Sequence, residues 1–246
     1  MDHKPRKRVA PDRALISELR NALAERADPE RARQAQAYMK SSMPFYGVPV
    51  PVVRKLTQAA CRAREPLAYS AWRDTVLALY RRAKYREERY AALGVAGFRH
   101  YRDYHSIETL GLYEELIVSG AWWDLVDEAS NYVGWILERS PAHTRPAMLA
   151  WARCPDLWKR RTSIICQGRF KERTDLELLY ACIEPSLDSR EFFLQKAIGW
   201  ALRDVAWFDP KEAVRYVRKH KAELSPLAKR EALKNLLKQG VVRQVP

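Results

Sequence analysis

The stretch Trp122-Trp-Asp-Leu-Val-Asp-Glu-Ala-Ser-Asn-Tyr-Val-Gly-Trp-Ile-Leu-Glu-Arg139 decides the fold. Wound as a helix at about 100° per residue, it puts Trp122, Val126, Ala129, Val133 and Ile136 on one narrow apolar stripe. The spacing predicts a helix over Trp122–Arg139. A second stripe, about 100° around the cylinder, holds Trp123, Asp127, Ser130 and Gly134. It begins with an aromatic and an acid and ends in small residues, which leave room for something to approach.

Working outward, the same period recurs. Leu15, Leu19 and Leu23 form one stripe, and Val76, Leu79 and Tyr80 another. Leu227, Leu233, Leu236 and Leu237 mark an apolar face near the end of the chain. Asp28-Pro29, Ser140-Pro141, Asp209-Pro210 and Ser225-Pro226 each place a capping side chain before a proline suited to the first helical position. No Asn-Gly or Asp-Gly hairpin signal occurs. The fold expected is all-α, roughly a dozen helices in antiparallel pairs of about 35–45 residues. Such pairs build a superhelical solenoid of degenerate HEAT-like units with a basic concave face. No break in composition divides the chain, so residues 12–246 are read as one domain behind a basic, disordered arm, residues 1–11.

The 246 residues carry 44 Lys and Arg against 30 Asp and Glu, a net charge of +14. That surplus points to an anionic partner. No window reaches the ~20 apolar residues of a membrane span, and no apolar run follows the basic N-terminus as in a secretory signal. Four cysteines without CxxC spacing and five scattered histidines form no metal-ligand pattern. The expectation is a cytoplasmic monomer that needs no metal or cofactor.

Three groups stand outside the core stripes. Trp123 and Asp127 set an aromatic plane beside a lone carboxylate. On the predicted helix Glu191–Trp207, the apolar stripe is Leu194, Ile198, Ala201, Val205 and Phe208. Trp200 lies off it, beside Gly199 and between Lys196 and Arg203, an arrangement that recurs where nucleic acid binds. Gly199 costs about 1 kcal/mol against alanine, which makes sense where a backbone or ligand comes close. Trp158-Lys-Arg-Arg161, with Arg169, Lys171 and Arg173, joins a C-terminal run that includes Lys229 and Arg230 to suggest a track for phosphates. Each also has a plainer reading: a second core tryptophan, a solvated acid, a solvated basic face.

Several collinear blocks resemble the AlkD-type alkylpurine DNA glycosylases, built from HEAT-like repeats. They are Tyr38-Met-Lys40, Glu114–Val118, Ala121–Asp127, Trp158–Arg161, Glu191–Trp200 with Leu202-Arg203, and Pro226–Ala232. The resemblance implies an enzyme that excises cationic alkylated purines, such as 3-methyladenine and 7-methylguanine, from duplex DNA. It matches Asp127 to the catalytic aspartate, Trp123 and Trp200 to two tryptophans at the lesion, and Arg161 to an arginine of the same site. Gln167, Arg169 and Arg203 fall where the family has polar or basic residues near DNA. Lys159, Arg160, Lys196, Lys229 and Arg230 complete the expected DNA-binding set. Around Pro49-Val50-Pro51 the chain departs from the family pattern.

A cationic purine is already a good leaving group, so one carboxylate beside the sugar suffices, provided it stays ionised. Arg161 is expected to help by lowering its pKa. Two other readings stay open: a non-catalytic repeat protein that binds distorted or branched DNA, and a scaffold for another protein.

Overall fold

Capping side chains set where many of the helices begin. In the computed structural model, which describes residues 10–245, Asp12, Asp28, Asp156, Asp175, Asp209 and Ser225 each accept a hydrogen bond from a backbone N–H of the helix that follows. All four predicted acid–proline or serine–proline pairs open helices, although the Ser140 side chain makes no capping bond. The basic arm expected over residues 1–11 lies outside the described residues except for Ala10 and Pro11.

The described residues form thirteen α-helices and four short 3-10 turns, with no strand. They divide into two compact units after Tyr104. The first unit holds α1 (Arg13–Ala24), α2 (Pro29–Met39), α3 (Val50–Arg62), α4 (Tyr69–Arg81) and α5 (Arg86–Ala96). Its core is the predicted Leu15, Leu19 and Leu23 stripe with Val53, Trp72, Val76, Leu79 and Tyr80, all buried. Buried Glu87 ties the connection before α3 to α5, its oxygens accepting from the backbone N–H groups of Tyr46 at 2.9 Å, Gly47 at 2.8 Å and Val48 at 3.1 Å. Gly47 is required there: its φ is +87°, and a Cβ would sit 2.2 Å from the Asp28 carbonyl oxygen.

The second unit holds α6 (Leu110–Gly120), α7 (Trp123–Arg139), α8 (Pro141–Ala152), α9 (Leu157–Ile165), α10 (Leu176–Ile183), α11 (Phe192–Phe208), α12 (Pro210–Lys219) and α13 (Pro226–Lys238). Its packing follows the rule of a helical solenoid. Helices α7, α9, α11 and α13 each pack on the next member of that series. Helix α8 packs against α7, α9 and α10, while α12 packs against α11 and α13. The predicted core stripe holds, with Val126, Ala129, Val133 and Ile136 fully buried. Trp122 caps α7 rather than opening it, and its ring packs on Trp158 and Phe193. On α13 the buried face is Ala228, Ala232, Leu233 and Leu236; Leu227 and Leu237 are half-buried.

The small residues of the second stripe on α7 make room, but for a neighbouring part of the chain. Ser130 Oγ lies 3.1 Å from Thr162 Oγ1 on α9. A Cβ on Gly134 would stand 2.2 Å from the Cys166 carbonyl oxygen at the end of α9. Gly199 does the same for α11 against α13, where a Cβ would meet Glu231 Cβ at 2.5 Å and the Ala228 carbonyl oxygen at 2.9 Å. Close helix approach, not a ligand, explains both glycines.

Gly134→Ala is therefore expected to destabilise the protein by about 1–3 kcal/mol, the cost of overpacking a tight contact. Alanine is the better helix former, so propensity alone predicts the opposite sign. Urea unfolding followed by circular dichroism separates the two.

Candidate active site

Four helices of the packed series bring their non-core stripes together. Asp127 comes from α7, Arg161 from α9, Trp200 from α11 and Glu231 from α13. Trp123, the first residue of α7, is half-buried one turn before Asp127, and helical spacing places the two on one face.

The centre is a two-pronged ion pair. Arg161 Nε donates to Asp127 Oδ1 at 2.7 Å, and Nη2 donates to Oδ2 at 2.8 Å. The third nitrogen, Nη1, donates to the Phe193 carbonyl oxygen at 2.6 Å. The guanidinium carbon also lies 5.0 Å from the centre of the Trp200 ring and 5.9 Å from that of Phe193, both within cation–π range. These partners compensate for taking a permanent charge out of water. The two halves differ in exposure: the Arg161 side chain is 1% exposed, the Asp127 side chain 24%. The pair is thus a dipole with its positive end sunk among helices and its negative end only partly exposed.

Burial pushes the Asp127 carboxyl above the ordinary aspartate value, while the hydrogen bonds and charge of Arg161 pull it down; the net direction is upward. Arg161 acts in the direction the sequence suggests, but desolvation outweighs it. Because Arg161 supplies only donors, the paired geometry belongs to the ionised carboxylate. Two of its roughly four lone-pair positions are taken, which leaves acceptor capacity for a further partner.

Beyond the centre, the predicted DNA-binding residues sort by what already engages them. Lys196 and Arg203 each donate to Glu231 at 2.9 Å. Lys159 pairs with Glu114, and its ammonium lies 5.3 Å from the Trp151 ring centre. Arg160 donates to Ser186 Oγ at 2.9 Å and to the Pro185 carbonyl at 3.2 Å. Lys229 donates to the Lys221 carbonyl at 3.0 Å. Gln167 is buried, and its amide clamps the Asp175 backbone with bonds of 2.8 and 3.1 Å. Arg169 and Arg230 are exposed and make no side-chain ion pair or hydrogen bond among the described residues. Those residues also contain no group of three or more His, Cys, Asp or Glu able to hold a metal ion, and no helix long and apolar enough to cross a membrane.

Glu231 is the residue that sequence reasoning missed. It is the sole acid of α13, in a helix that carries Lys229, Arg230, Lys234 and Lys238. A lone carboxylate among four cations is a signal that some of them are spoken for.

A double-mutant cycle tests the central pair. Arg161→Ala should cost about 3–5 kcal/mol, because it strands a partly buried carboxylate. Adding Asp127→Ala should recover about 1–3 kcal/mol of that loss. Strictly additive costs in urea unfolding would show that the two side chains do not depend on each other.

Comparison with known proteins places the chain in a family. A family model described as DNA alkylation repair enzyme matches residues 19–236, across both units. A solved structure described as a predicted DNA alkylation repair enzyme from Enterococcus faecalis is 30% identical. It matches with a TM-score of 0.75, covering 86% of this chain and 97% of that one. No curated protein matches the chain. With a family match over most of its length and helices stacked as described, this chain belongs to the DNA alkylation repair enzyme family.

Proposed function

We propose that the protein is a monofunctional DNA N-glycosylase that hydrolyses the glycosidic bond of cationic alkylated purines, 3-methyladenine and 7-methylguanine, in duplex DNA. The observation that carries this reading is the orientation of the Asp127–Arg161 dipole, with the carboxylate as its accessible end. The family match over residues 19–236 takes in helices of both compact units, which supports reading residues 12–246 as one functional domain.

The reaction needs little from the protein because the substrate carries its own activation. As C1′–N breaks, the bonding pair leaves with the purine and cancels its positive charge. The sugar becomes electron-poor, and Asp127 stabilises it. At about 4 Å and an effective dielectric near 20, opposite unit charges attract by about 4 kcal/mol, roughly three orders of magnitude in rate. Arg161 tempers that pull, but its charge lies farther back and is shared with Phe193 and Trp200. A water held by the free lone pairs of Asp127 then adds to C1′ and passes its proton to the carboxylate. Trp123 presents an aromatic face to the developing cation, which strengthens binding as charge grows, and Trp200 flanks the same site with a ring that Arg161 and Lys196 already approach. Arg161 acts as a positioning residue that fixes both carboxylate oxygens. Of the predicted DNA-binding cations, Arg169 and Arg230 are the two with no side-chain ion pair or hydrogen bond among the described residues, and they are available for phosphate.

The alternative is a non-catalytic member that binds distorted DNA. Its support is that Arg161 occupies both oxygens of Asp127 and thereby gives the pair a purely structural use.

One experiment separates these readings. Methylated duplex DNA is incubated with wild type and with Asp127→Asn, and freed bases are identified by chromatography. Wild type is expected to release 7-methylguanine. The variant should be slower by about 10²–10³-fold while keeping its duplex affinity. Equal release by both proteins removes Asp127 from the chemistry; release by neither favours the non-catalytic reading.

A further inference from the structure

Glu231 sits where two candidate phosphate-binding cations would otherwise be free. Its Oε1 accepts from Lys196 Nζ at 2.9 Å and its Oε2 from Arg203 Nη1 at 2.9 Å. Lys196 and Arg203 are seven residues apart on α11, two turns along one face, so a single carboxylate on α13 bridges both. The Glu231 side chain is more buried than either cation, at 16% exposure against 23% and 24%. Lys196 also holds its ammonium 5.4 Å from the centre of the Trp200 ring, the same ring that Arg161 approaches. Gly199 permits the arrangement, because any Cβ there would strike Glu231 Cβ.

We propose that Glu231 is a positioning residue that withholds Lys196 and Arg203 from DNA phosphates and fixes Lys196 against the Trp200 ring. Two effects follow. The surface around Trp200 loses two charges that would grip any duplex, damaged or not. Trp200 gains a fixed cation on its ring instead of one that wanders to a phosphate. Affinity without base readout is what a repair enzyme must limit when it searches a large excess of undamaged sites. Although burial pushes the Glu231 carboxyl up, Lys196 and Arg203, with Lys234 adding less, pull it below its ordinary value, so the carboxylate is ionised at neutral pH.

The consequence for discrimination rests on the glycosylase reading; the withheld charges do not. Binding of undamaged duplex is measured against salt concentration for wild type, Glu231→Gln, Lys196→Gln and the double variant, with folding checked by circular dichroism. Each cation that newly neutralises a phosphate steepens the logarithmic salt slope by about 0.9. Glu231→Gln should steepen it by about 1–2. Lys196→Gln should leave the slope unchanged in the wild-type background and reduce it by about 0.9 when Glu231 is also replaced. An unchanged or shallower slope for Glu231→Gln overturns the proposal. So does a fall of about 0.9 for Lys196→Gln alone, which needs no Glu231 variant to fold. Preference for methylated over undamaged duplex should shrink in Glu231→Gln. Should wild type release no methylated base while the slopes behave as predicted, the glycosylase reading fails and the role of Glu231 stands.

Discussion

A guanidinium with almost no exposed surface must find a partner for every nitrogen, and that requirement organises the second unit of this protein. Arg161 meets it with both oxygens of Asp127, the Phe193 carbonyl and the Trp200 ring. These partners come from α7 and α11 on either side of α9. An ion pair this buried is poor evidence for stability, because apolar residues of similar volume often do as well. What it secures is direction: a carboxylate held by both oxygens cannot rotate away from its open side.

The neighbouring contacts read as conditions for that pair. α7 and α9 approach closely because Ser130 and Gly134 leave no bulk between them. α11 and α13 approach closely because Gly199 has no side chain. The second contact delivers Glu231, which repeats the logic of the first with the order reversed: an acid on α13 engages cations on the preceding helix α11. Asp127, Arg161, Lys196, Glu231 and Arg203 thus form a run of mostly alternating charge across α7, α9, α11 and α13, with Trp200 between Arg161 and Lys196.

Much of this was legible in the sequence because it rests on local physics. Proline behind a capping side chain marks helix starts, and the 3.6-residue period marks the buried face, so α7 and α11 fall within a residue of their predicted limits. The candidate set Trp123, Asp127, Arg161 and Trp200 was legible through a resemblance, not through spacing alone. What pairs with what across helices was not. Glycine at 134 and 199 announces a close approach without naming the visitor, and helix backbone occupies both places. Among the predicted DNA-binding cations, Lys159, Lys196 and Arg203 are paired with Glu114 and Glu231, whereas Arg160 and Lys229 donate only to neutral oxygens. A count of cations cannot show this, because neutralisation depends on acids distant in sequence. The carboxyl of Asp127 shows the same limit: an adjacent arginine suggests a lowered pKa, whereas the depth of burial, which only the fold fixes, turns the net direction upward.

The central claim is that one ionised carboxylate, held by Arg161, does the chemistry. Its most direct test is the pH dependence of single-turnover release of 7-methylguanine in wild type and Arg161→Lys. A carboxylate that must be ionised loses activity as pH falls through its pKa. In wild type that loss should set in above the ordinary aspartate value of 3.8. In Arg161→Lys it should set in at still higher pH, since a lysine keeps the charge but cannot grip both oxygens. The same acid limb in both proteins would contradict the account.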